Sequence, residues 1–144
     1  MIGRSPRLQE SADINGSSAA PPSRFRNLFG GRRKRNEELR FADRVCTESL
    51  AALAEVRAAR PQLSGDDLYE AVIARRLRLG ERAARMILQR AYDSLADWGS
   101  DRAPKFLDVV RYMIVNEYLD AVSGARGMSL DLGAFLAQHI DPQL

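Results

Sequence analysis

Apolar residues in this chain recur every three or four positions, and they never alternate with polar residues for long enough to form a strand. Steps of three and four place side chains on one face of an α-helix, whereas a half-buried strand requires a period of two. The first such stripe consists of Leu39, Ala42, Cys46, Ser49, Leu53 and Val56. The sequence therefore predicts an all-α fold.

Proline and glycine divide the periodic part of the chain into about five helices. Asn36, followed by two glutamates, is a good N-cap, so we expect the first helix to start there. Pro61 ends this helix, Gly80 separates the second from the third, and Pro104 suits the first turn of the fourth. The fourth segment is apolar around most of its circumference, which places it at the centre, and a short fifth follows Gly127. Short connections between helices favour a small orthogonal or bundle-like domain.

The N-terminal part of the chain differs in composition from the rest. Residues 1–23 are rich in serine, glycine, asparagine and proline, and their apolar surface is too small to offset the entropy lost on ordering. Residues 1–35 hold 8 basic and 2 acidic side chains, whereas residues 36–144 hold 14 basic and 17 acidic ones. We therefore expect a disordered basic tail over 1–35 and a single helical domain over 36–144.

Cysteine content and hydropathy favour a cytoplasmic protein. Cys46 is the only cysteine, so an intrachain disulfide is excluded and a reducing compartment is expected. The first twenty residues contain no apolar stretch of the kind found in a secretion signal, and the apolar run at 112–115 is far too short to cross a bilayer. Twenty arginines against two lysines, with twenty alanines, are typical of a GC-rich bacterial genome.

The inventory of reactive side chains argues against catalysis. With one cysteine and one histidine (His139), a zinc site built from these residue types is excluded by count. Cys46 lies on an apolar stripe and is interpreted as a buried small hydrophobe. Glu117, near the crowded side of the fourth helix, is interpreted as a surface residue or as the partner of an arginine. The prediction is a protein that is not an enzyme and that uses no cofactor and no metal.

A segment at residues 68–90 resembles a helix-turn-helix. Small and apolar residues fall at the packing positions of that motif, namely Ile73, Ala74, Leu77, Leu79, Ala84 and Ile87. The resemblance implies that the second helix lies in the major groove of DNA, with arginines directed at guanine edges or phosphates. At the turn, Arg78 occupies the position that glycine usually holds. The candidate nucleic-acid contacts are Arg75, Arg78, Arg82, Arg85 and Gln89.

A second candidate segment lies in the tail, at residues 24–35. Three apolar residues spaced i, i+3 and i+4 precede two glycines and a basic cluster. Such a combination favours shallow insertion at an anionic membrane surface or docking in a groove of a partner protein. The residues concerned are Phe25, Leu28, Phe29, Arg32, Arg33, Lys34 and Arg35.

The leading functional hypothesis is a small regulatory or adaptor protein that acts through protein–protein contacts or self-association. The fourth helix carries more apolar surface than five short helices readily cover. Four tyrosines, a residue type enriched at interfaces, add to it: Tyr69, Tyr92, Tyr112 and Tyr118. DNA binding through residues 68–90 and docking through residues 24–35 are the alternatives.

Overall fold

The computed structural model describes residues 23–99 and 102–144, with side chains from residue 32 onward. Within these ranges the chain forms five α-helices and no strand, which confirms the predicted all-α class. The helices are α1 (Ser23–Ala59), α2 (Gly65–Leu77), α3 (Glu81–Asp97), α4 (Phe106–Ala121) and α5 (Leu132–His139). None of the described helices has the length and apolarity that a bilayer span requires.

The chain divides into two compact units, Met1–Glu37 and Glu38–Leu144. In the first unit the described residues form the beginning of α1, and the side chains at 32–37 are exposed. The predicted disorder of residues 1–22 lies outside the described residues. The predicted helix start was wrong, because α1 begins at Ser23 and Asn36 lies in its interior. Extending a formed helix by one residue costs little compared with starting one, so a suitable N-cap inside a helix-forming segment does not interrupt it.

In the second unit, α1 buries a stripe of its residues in the core. Ala42, Cys46, Leu53 and Val56 are buried there as predicted, together with Ser49, whose hydroxyl donates to the Val45 carbonyl at 2.7 Å. Leu39 is exposed, and the fully buried position at that end of the stripe is held by Glu38. At the N-terminal end of this stripe, the buried face of α1 is therefore shifted by one residue from the predicted face.

The boundaries of α2 and α3 follow the glycine and proline pattern closely. α2 ends at Leu77 and α3 starts at Glu81, with Gly80 as its N-cap. On one side of α3, the residues Ala84, Leu88, Ala91 and Leu95 are buried. Trp98, the residue after α3, is exposed, and the Arg111 guanidinium lies 3.9 Å from the centre of its ring.

α4 lies at the centre of the second unit. It packs against α3 and α5. Tyr118 contacts Phe41 of α1 edge to face, and Phe106 contacts Tyr69 of α2. Its buried side chains include Val109, Val110, Met113 and Ile114. The broad apolar face that predicted a central helix is therefore used for packing against all four neighbouring helices.

Candidate binding surface

The turn between α2 and α3 contains a left-handed C-cap residue. Arg78 adopts the left-handed conformation, with φ 54° and ψ 49°, and its N–H donates to the Ala74 carbonyl. The Leu79 N–H donates to the same carbonyl at 3.0 Å. This is a helix C-cap of the kind that glycine normally makes. Arg78 thus adopts the conformation that glycine usually supplies in the helix-turn-helix, the motif that residues 68–90 resemble.

The outward side of α3 forms a continuous exposed strip. We define the α3 face as Arg82, Met86, Gln89, Asp93 and Ala96, which are all exposed. Their spacing of four, three, four and three places them on one side of the helix. Leu79, at the end of the turn and three residues before Arg82, is exposed as well. The strip therefore combines basic, apolar, amide and acidic side chains in that order along the helix.

Three of the five predicted nucleic-acid contacts already have partners within the protein. The guanidinium of Arg75 lies 2.6 Å from Glu55, that of Arg85 lies 3.3 Å from Glu70, and the Gln89 amide donates to Asp93 at 3.1 Å. Arg78 and Arg82 are exposed and make no ion pair or side-chain hydrogen bond with any described residue. Two of the five are thus available to an anionic partner without breaking an internal contact.

Arg76, one residue beyond Arg75, belongs to the core. It is inaccessible to solvent except for 3% of its side chain, and it makes a bidentate pair with Glu117 at 2.5 and 2.8 Å. A third bond reaches Glu48 at 3.0 Å. Burial tends to lower the pKa of this guanidinium, but the hydrogen bonds and charges of Glu117 and Glu48 outweigh it and raise the pKa. Glu117 is therefore the partner of an arginine, one of the two roles expected for it.

Glu38 forms a buried polar site that the sequence reasoning missed. Its carboxylate is completely buried and accepts hydrogen bonds from the backbone N–H groups of Ser129 and Leu130 at 3.0 and 3.1 Å. The Ser129 hydroxyl donates to it at 2.7 Å. These donors stabilise the buried carboxylate with the hydrogen bonds that water would otherwise provide. The arrangement fixes the loop before α5 onto α1.

The single cysteine and the single histidine occupy different environments. Cys46 is buried, and this burial, with a smaller contribution from the charge of Asp43, raises the pKa of its thiol. A raised thiol pKa lowers the fraction of reactive thiolate at neutral pH. His139 is exposed at the end of α5, where its ring stacks on Phe135 and its Nδ1 lies 2.7 Å from the Phe135 carbonyl oxygen. Cys46 lies in α1 and His139 in α5.

The predicted tail site is only partly described. Phe25, Leu28 and Phe29 fall within α1, but their side chains lie outside the described residues. The four basic residues at 32–35 are exposed. Membrane or groove docking by this segment stays a prediction.

No protein family, no curated protein and no solved structure matches this chain. The function is therefore inferred from the geometry and chemistry of the α3 face and of the turn before it.

Proposed function

We propose that this is a non-catalytic cytoplasmic binding protein, regulatory or adaptor in role, that engages a protein partner through the α3 face. The observation that carries the proposal is the exposure of Met86, whose surface is 51% accessible in the middle of the helix. Leu79 at the preceding turn is 37% accessible. Flexible, polarisable methionine side chains are well suited to contact surfaces.

The rest of α3 shows why Met86 is notable. The other large, fully apolar side chains of α3 are Ile87, Leu88 and Leu95. Ile87 is half-buried, and the two leucines are buried in the core. The other large apolar side chains of α3 thus face the core at least in part, whereas Met86 lies on the polar side. Scattered apolar residues on a surface are ordinary, but Met86 lies within one helical turn of Arg82 and Gln89, two residue types suited to polar contacts at an interface rim.

The charges of the α3 face favour a protein over a nucleic acid. Arg82 lies near one end and Asp93 near the other, so the surface presents both signs. A phosphate backbone presents only negative charge and would be repelled by Asp93, whereas a protein surface can match both signs.

Site-specific photo-crosslinking tests this proposal. A photoactivatable residue at position 86 of the full chain is expected to form protein adducts in cells that naturally make the protein. The matched control places the same residue at Ala137, which is exposed on α5. Adducts to nucleic acid from position 86, or equal adduct yields from both positions, would overturn the proposal.

DNA binding is the second candidate, and the left-handed turn at Arg78 favours it. Together with Arg82, this residue offers two unpartnered guanidinium groups at the start of α3, where a recognition helix meets DNA. If this function is correct, Arg78→Ala with Arg82→Ala reduces the salt slope of duplex binding by about 2 between about 50 and 200 mM salt. Arg75→Ala with Arg85→Ala is the control, because carboxylates already hold both side chains. Equal slopes for the two double variants would contradict DNA binding through this turn.

A further inference from the structure

We infer that the partner of the α3 face is a second copy of this chain, packed with its α3 antiparallel to the first about a twofold axis. The inference rests on the proposed function, since it names the protein that the α3 face binds. It follows from the order of side chains along the helix, which is complementary to itself when reversed.

The reversal brings opposite charges together. When two α3 helices run antiparallel with Met86 opposite Gln89 of the second copy, Arg82 faces Asp93 of the second copy. By symmetry, the second copy's Arg82 faces Asp93 of the first, so each contact occurs twice. The same alignment places Leu79 opposite the small Ala96. This one register pairs opposite charges at Arg82 and Asp93 and brings no like charges together within the strip.

The charges also select the direction of packing. In a parallel pair in register, Arg82 would face another Arg82, and Asp93 would face another Asp93. Like charges placed opposite each other are unfavourable, so the parallel arrangement is disfavoured. The spacing of four and three along the strip is the spacing by which two helices pack side by side at a shallow angle.

The residues beside the strip are compatible with this alignment. Arg78 comes opposite Asp97, a further opposite-charge pair. Arg85 comes opposite Arg90, but the Glu70 carboxylate already binds Arg85 within each copy and offsets its charge. Within one copy Gln89 donates to Oδ1 of Asp93, which leaves Oδ2 of that carboxylate to accept from Arg82 of the second copy.

A single pair of helices forms a small interface compared with the roughly 1,200–2,000 Å² of stable complexes. We therefore expect a weak dimer with a dissociation constant on the order of 10 µM. Its affinity should fall further as the salt concentration is raised, because salt screens the charge pairs.

Charge exchange tests the register. The full-length variants Arg82→Asp and Asp93→Arg should each associate at least about tenfold more weakly than the unchanged chain, because each creates two like-charge contacts. An equimolar mixture of the two should associate again, since every contact then joins opposite charges. The double variant should also self-associate. Positions 82 and 93 are eleven residues apart on one helix, about 16 Å, so the recovery is not explained by pairing within one copy.

Sedimentation equilibrium of the full chain gives the readout, with circular dichroism verifying that both exposed substitutions leave the helices intact. A chain that stays monomeric up to several hundred micromolar, or that associates equally in all variants, overturns the inference. The proposed function fails separately. If the chain is monomeric while position 86 still crosslinks to a different protein, the second copy is excluded and the α3 face remains a protein-binding surface.

Discussion

Arg75 and Arg76 are neighbours in sequence with opposite roles in the structure. The side chain of Arg75 is 56% accessible and pairs with an equally exposed Glu55, whereas Arg76 is enclosed by Glu117 and Glu48. Exposed pairs contribute little to stability, because water solvates both ions nearly as well. A buried guanidinium depends on its partners, since it has lost its hydration. The basic cluster between α2 and α3 therefore presents less positive charge than its composition indicates.

Removing the partner of the buried arginine should be costly. We expect Glu117→Ala to lower the free energy of unfolding by about 3 kcal/mol, because Arg76 keeps only Glu48 to compensate a buried charge. Glu55→Ala, which removes the partner of exposed Arg75, should cost less than about 1 kcal/mol. Urea unfolding followed by circular dichroism measures both. Equal losses for the two variants would contradict the assignment of Arg76 to the core.

Sequence reasoning at this scale reached Glu117 but not its partner. An arginine partner was one of the two roles expected for Glu117, yet nothing local distinguishes Arg76 from Arg75. The two side chains point about 100° apart on α2, and only the packing of α2 against α4 decides which one is enclosed. Glu38 was missed for a related reason, because glutamate near an expected helix start is normally an exposed N-terminal charge.

Among the helices, α2 and α3 with the turn between them were predicted most fully. α2 ends at Leu77 and α3 begins at Glu81, on either side of the break that was predicted at Gly80. The exposed side of α3 was also predicted at Arg82 and Gln89. Met86 was missed, although it lies four residues after Arg82 and off the stripe of Ala84 and Leu88, a signal that the spacing contained. The start of α1 was predicted wrongly because capping preferences only mark where a helix can begin.

The left-handed turn residue provides a test of element geometry. We expect Arg78→Gly to raise the free energy of unfolding by about 1 kcal/mol, because glycine adopts this conformation without the steric cost of a Cβ atom. Arg90→Gly removes the same charge from an exposed position inside α3, and there we expect a loss of about 1 kcal/mol. Thermal melts of the two variants should therefore shift in opposite directions. A shift in the same direction would contradict the turn geometry.

For the molecule as a whole, the tie between Glu38 and the loop before α5 joins distant parts of the chain. Glu38 is the first residue of the second compact unit, and its partners are Ser129 and Leu130. Most of that unit's chain, including the whole of α2, α3 and α4, lies between them, and α5 follows.

Breaking this tie should loosen the loop before α5. We expect Glu38→Ala to lower the free energy of unfolding by about 3 kcal/mol, because two backbone N–H groups and a hydroxyl lose a charged acceptor. The amides of Ser129 and Leu130 should exchange with deuterium faster than in the unchanged chain. Glu37→Ala, at the exposed neighbouring position, should change stability by less than about 0.5 kcal/mol. Unchanged protection at both amides in Glu38→Ala would show that the loop is held by other contacts.

The same tie has a consequence for how the protein is made. Ser129 follows Glu38 by 91 positions, and ribosomes add roughly 5–20 residues per second. Roughly 5–20 s of translation therefore separate the synthesis of Glu38 from that of its hydrogen-bond donors. Over that interval α2, α3 and α4 are added to the nascent chain, but the loop that supplies the donors is still missing, so the buried site of Glu38 is incomplete. The second unit consequently closes only after the loop before α5 has been made.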